Sequence, residues 1–177
     1  MRLRRGSGDA TEVTAMCLMV WLGSMRALPE HRLANPQVPD PRLGYHRVET
    51  VPDAAPVRAR FTLPHVAYVG SHEGCGCGFN SGDLEWQGFE LVAEIAPLIE
   101  ALGAEERAEF EAEQRGRERL RDLVATAFAD GPVEVFGCWA GDEGDPSVND
   151  MEVDVSHFAT RLAPIVERVR YLVGHSP

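Results

Sequence analysis

The chain contains no apolar run approaching the roughly 20 residues that a membrane-spanning helix needs, so no membrane span is expected. It is also short of cations. Its 177 residues carry 17 Lys and Arg against 28 Asp and Glu, a formal net charge of −11. Such a surface repels phosphate backbones and anionic lipid, which argues against nucleic-acid and membrane partners. A metal cation or a basic protein partner suits it better. Cysteine is scarce as well: four residues do not make a disulfide framework in a chain of this length. Cys17 lies inside an apolar, strand-like run, and a reducing, cytoplasmic compartment is the expectation. Internal repeats and coiled-coil heptads are absent, which excludes solenoid and long-coil architectures.

What remains is an ordinary globular composition, 44% hydrophobic, sufficient for one domain with a core. Arg2, Arg4 and Arg5 ahead of Ala15–Leu22 have the charge order of a secretion signal. Asp9 and Glu12 interrupt the approach, however, and no small-x-small cleavage site follows. Residues 1–13 are therefore expected to be a disordered tail, with Met16 as an alternative initiator and 14–177 as a single domain.

Ala15–Leu22 is apolar at both alternating positions, as a central strand covered on both faces requires. Four prolines between 29 and 41 predict an irregular loop over roughly 27–43. Strands are predicted over 45–51, 64–70 and 133–139, with a last one over 167–173. Pro164 argues against a helix through the region 163–174. Apolar residues at three- and four-residue steps predict a helix over 89–102, divided or kinked at Pro97. A second helix follows, with Glu105 and Glu106 in its first turn and Asp130-Gly131-Pro132 as its stop. The Arg115, Arg117, Arg119 and Arg121 run, interleaved with acids, reads as a solvated face of that helix. Together these elements predict an α+β single domain: a mixed β-sheet of about five strands with two main helices packed on it.

The segment with the most chemistry is Ser71-His-Glu-Gly-Cys-Gly-Cys-Gly-Phe79, directly after a predicted strand. It places His72, Cys75 and Cys77 together, and Cys138 would supply a fourth ligand if its strand lies nearby. Thiolates at about 2.3 Å from one zinc need their sulfurs under about 4 Å apart, which a Gly-rich loop permits. A Cys75–Cys77 disulfide, by contrast, would be strained. Zinc is thus the candidate cofactor, with His72, Cys75, Cys77 and Cys138 as candidate ligands. Thiol redox or nucleophilic chemistry, with His72 as base, is an alternative use of the same groups. The plainer reading is a tight glycine turn in which the cysteines serve as small hydrophobes. Asp142 to Asp154 forms an acidic loop in which Asp150, Glu152 and Asp154 alternate; its spacing fails the EF-hand pattern and it reads as a solvated loop. Trp21, Tyr68, Trp86 and Trp139 are candidates for a pocket near the cysteines but more simply for core. The competing function class is a non-enzymatic interaction protein, immunity-type or regulatory, whose acidic surface holds a basic partner.

Overall fold

The computed structural model describes residues 17–32, 45–71, 74–79, 103–160 and 163–174. Its central element is β1 (Leu18–Ser24), which pairs antiparallel with β4 (His65–Ser71) on one side and β5 (Val133–Trp139) on the other. The sheet grows outward from that trio. Beyond β4 lie β3 (Tyr45–Thr50) and the two-residue β2 (His31–Arg32), and beyond β5 lie β7 (Val169–Val173) and β6 (Asn149–Val153). The order is β2-β3-β4-β1-β5-β7-β6, antiparallel throughout except for the parallel β6–β7 pair at one edge.

Alternation along β1 sorts its side chains between two cores. Leu18, Val20 and Leu22 face the long helix α1 (Ala104–Phe128), where they meet its Leu120, Val124 and Ala127 together with Val133, Val135 and Tyr171. Trp21 faces the other way and packs with Val57, Phe61, Val66, Tyr68, Phe136 and Cys138. Its ring lies 6.0 Å from that of Tyr68, edge-on, and 6.3 Å from that of Phe136. Both faces of the central strand are covered, as its doubly apolar pattern predicts. At the start of α1 the Glu106 carboxylate accepts the orphan N–H of Gly103 at 2.9 Å. At its end Gly131 takes a positive φ of 140°.

Three expectations require correction. The sheet has six full strands plus the short β2, not about five, and the described residues hold one long helix, not two main helices. The additional strands are β2 and β6. β2 is too short to carry a pattern, and β6 is a mostly exposed edge strand whose alternating Met151 and Val153 are outweighed by the acids around them, so the segment reads as a solvated loop. The helix predicted over 89–102 lies outside the described residues, as does the predicted tail over 1–13. The third correction concerns Arg117. Predicted on a solvated face, it is 2% exposed, and its guanidinium donates to the carbonyls of Thr160 at 2.7 Å and Ala163 at 3.0 Å. It thereby ties the 3-10 turn Val155–Ala159 and the chain after it to the helix. Residues 169–173 form a strand as predicted, and the Pro164 carbonyl accepts the Tyr171 hydroxyl at 3.0 Å.

A second buried charge supports the opposite face. Glu134 on β5, 1% exposed, accepts from the Thr62 amide at 2.9 Å and the Thr62 hydroxyl at 2.5 Å. Arg170 on β7 approaches it at 3.7 Å, while the same guanidinium donates to Asp150 on β6 at 2.5 and 3.0 Å. One carboxylate thus holds the segment before β4 against the sheet, and one guanidinium holds the edge strand. Glu134→Ala strips these donors of their buried acceptor and should cost about 3 kcal/mol in urea unfolding. Arg119→Ala, which removes only an exposed contact at 4.0 Å to Asp122, should stay within about 0.5 kcal/mol.

Candidate metal centre

The antiparallel β1–β4 ladder determines what lies beside the glycine-cysteine loop. Trp21 is opposite Tyr68 and Ser24 opposite His65, so the register runs the end of β4 toward the start of β1. The chain leaving β4 must therefore turn over Cys17 and Leu18. It does so in a tight, hydrogen-bonded course. The Gly74 amide donates to the Ser71 carbonyl at 2.9 Å and the Ser71 amide to the Cys75 carbonyl at 2.7 Å. Gly74 sits at φ 84°, and its carbonyl accepts the Tyr68 hydroxyl at 2.9 Å. Gly76 then presses on β1, its amide donating to the Leu18 carbonyl at 2.6 Å. A Cβ on Gly76 would stand 2.5 Å from Val20 Cγ2 and 2.9 Å from the Leu18 carbonyl oxygen. Of the three loop glycines, only Gly74 has a positive φ; Gly76 is required by close approach.

This course brings three sulfurs together. Those of Cys17, Cys75 and Cys77 all lie within 4.8 Å of one another, and all three residues are half-buried. The Leu18 amide donates to Cys77 Sγ at 3.2 Å, which fixes that sulfur against the start of β1. The Cys75 thiol is pushed up to about 12, chiefly by burial. The Cys77 backbone amide opposes that shift, while the Cys77 and Cys17 thiols reinforce it. Without a cation, then, the cluster holds its Cys75 proton tightly. A bound cation would reverse that balance, because thiols coordinate as thiolates.

The predicted ligands divide accordingly. Cys75 and Cys77 are together. His72 lies outside the described residues. Cys138 is fully buried on the other face of the sheet, directly across from Met19 and among Trp21 and Phe136. Its thiol is pushed up to about 12 by burial, with the carboxylates of Glu143, Asp142, Glu167 and Asp145 adding to the shift. The sulfur that joins the loop is that of Cys17, which sequence reasoning treated as core. The signal was available: an antiparallel pairing of two predicted central strands places the loop after one beside the start of the other. The acidic loop gathers no comparable group among the described residues. There Asp150 is held by Arg170, and Asp154 caps the 3-10 turn through the Ser156 amide. Among the proposed pocket aromatics, Trp21 and Tyr68 are core on the face away from α1. Trp139 packs on the α1 face, its indole donating to Glu167 at 2.8 Å, and Trp86 lies outside the described residues.

Burial of the Cys138 thiol has a consequence at alkaline pH. Its folded value of about 12 exceeds the ordinary 9.0, so between these limits the folded chain retains a proton that the unfolded chain releases. The stabilisation is complete below pH 9 and is lost as pH rises toward 12. Unfolding free energy should fall over that window, and Cys138→Ala should flatten the fall while costing about 1 kcal/mol at neutral pH. Urea melts at pH 8, 9, 10 and 11 check both outcomes.

No family model, curated protein or solved structure matches this chain.

Proposed function

We propose that this protein binds a thiophilic metal ion, zinc in the first instance, through the thiolates of Cys17, Cys75 and Cys77. The observation that carries the reading is the convergence of three sulfurs from two chain segments far apart in sequence, all within 4.8 Å. Tetrahedral zinc with bonds of about 2.3 Å sets sulfurs about 3.8 Å apart, so an inward movement of at most about 1 Å completes the site. The loop is already fastened to β1 by the Gly76 and Leu18 contacts, which leaves side-chain rotation as the main adjustment. His72, three residues before Cys75, is the proposed fourth ligand and makes a Cys3His set of the structural kind. The role is then that of a clasp between the start of β1 and the loop leaving β4, in a cytoplasmic protein whose reducing surroundings keep the sulfurs free.

Chemistry favours this over Cys75 as an activated nucleophile. Reactive cysteines have lowered thiol pKa values, whereas that of Cys75 is raised. A metal ion supplies the energy to remove its proton, so zinc affinity should rise with pH across the neutral range, by about tenfold per pH unit for each proton displaced.

Metal analysis of protein purified without chelator or nickel resin should find one zinc per chain. Cys17→Ser, Cys75→Ser and Cys77→Ser should each lower that content at least tenfold and lower the melting temperature to that of chelator-treated wild type. His72→Ala should weaken binding by about 10- to 100-fold, and Cys138→Ser should retain the ion. Gly76→Val should destabilise by about 1–3 kcal/mol with or without zinc, because its cost is steric. A wild-type protein that carries no zinc and takes none up on titration, or a Cys17→Ser variant that retains it, would overturn the reading.

A further inference from the structure

We infer that Cys17 and Cys77 form a reversible disulfide, an oxidation site that controls occupancy of the metal centre; its consequence for the ion rests on the thiolate-metal reading above. Three sulfurs within 4.8 Å allow three pairings, and the surrounding backbone separates them. A Cys75–Cys77 bridge would close a small ring through Gly76. That residue cannot readjust its torsions freely, because its amide is bonded to the Leu18 carbonyl at 2.6 Å and its Cα lies against Val20. Cys75 is also fastened to the end of β4, its carbonyl accepting the Ser71 amide at 2.7 Å. Cys77 is differently placed. Its Sγ already lies 3.2 Å from the Leu18 amide, against the peptide group that joins Leu18 to Cys17. From within 4.8 Å, the Cys17 and Cys77 sulfurs close to the bonding distance of about 2.05 Å in the proposed bridge.

The Leu18 N–H also fixes Cys77 Sγ beside Cys17, and Cys77 is the sulfur taken to attack first. With a low-molecular-weight disulfide such as glutathione disulfide as oxidant, the Cys77 thiolate attacks one oxidant sulfur. The oxidant S–S bond breaks, and a glutathione thiolate departs. The Cys17 thiolate next attacks the Cys77 sulfur of the mixed disulfide and expels the second glutathione thiolate. Two electrons pass from the cysteine pair to the two glutathiones. One thiolate of the three, Cys75, remains, too few to hold the ion, which passes to solvent. A dithiol reductant reverses the exchange and restores the three-sulfur set.

The test treats zinc-loaded and zinc-free full-length protein with glutathione disulfide, counting thiols under denaturing conditions and released zinc with a chromogenic chelator. The four free thiols should fall to two in both samples, with one zinc released per chain from the loaded one. Tandem mass spectrometry of the unreduced digest should find Cys17 joined to Cys77, with Cys75 and Cys138 open to alkylation. Cys75→Ser should still lose two thiols, whereas Cys77→Ser should lose them at least tenfold more slowly. The wild-type linkage map decides the matter even where a variant fails to fold. A Cys75–Cys77 or Cys17–Cys75 linkage, or no loss of thiols, would overturn the inference. Loss of two thiols through Cys17–Cys77 in a wild type that never held zinc would instead uphold the bridge and remove the metal reading.

Discussion

The backbone of Leu18 is the contact on which the rest of this structure converges. Its residue opens β1, the strand at the middle of the sheet, and lies opposite Trp139 of β5. Its carbonyl receives the Gly76 amide at 2.6 Å, and its own amide is given to Cys77 Sγ at 3.2 Å. A buried amide and carbonyl must be satisfied, and here they are satisfied by the loop rather than by a longer β4. The loop is consequently part of the sheet's hydrogen bonding, and whatever its sulfurs hold is coupled to the position of the central strand.

Around that strand the protein keeps two unlike cores. The α1 face is aliphatic and depends on packing of Leu120 and Val124 against Val20, Leu22 and Val135. The opposite face is aromatic, with Trp21, Tyr68, Phe61 and Phe136, and it borders a buried carboxylate, Glu134, held by Thr62 and Arg170. The cysteines follow the same division. Cys77 packs with the aliphatic core, whereas Cys138 is enclosed by the aromatic one. A sheet separates them, and sheets do not let side chains of opposite faces share a ligand. Among the described residues no helix is long and apolar enough to cross a membrane.

Much of this organisation was legible in residue patterns. The doubly apolar β1, β4 and β5 segments and the extent of α1, from Glu105 and Glu106 in its first turn to the stop at Gly131, follow from local rules of periodicity and capping, which need only near neighbours. The edge strand β6 reads as a loop because its alternating Met151 and Val153 are only two apolar residues among Asp150, Glu152 and Asp154; its place is set by pairing with β7 and by Arg170, partners distant in the chain. Arg117 was misplaced for a related reason. Its flanking acids suggest a wet helix face, and only the packing of the 3-10 turn onto α1 encloses it.

The candidate site shows the same boundary between local and long-range information. By itself the sequence determined that a Gly-rich loop with Cys75 and Cys77 follows a strand, and that this loop is tight, since these depend on residues adjacent in the chain. Gly76 illustrates the limit: its need for a hydrogen side chain comes from Val20 and Leu18, not from its own φ. Only the tertiary structure decided that the third sulfur is Cys17 and not Cys138. The physical reason is strand geometry, in which the face of a side chain is set by alternation and its neighbours by register. Register places Cys17, the residue just before β1, beside the loop, while Cys138, opposite Met19, packs in the aromatic core on the face away from Cys77.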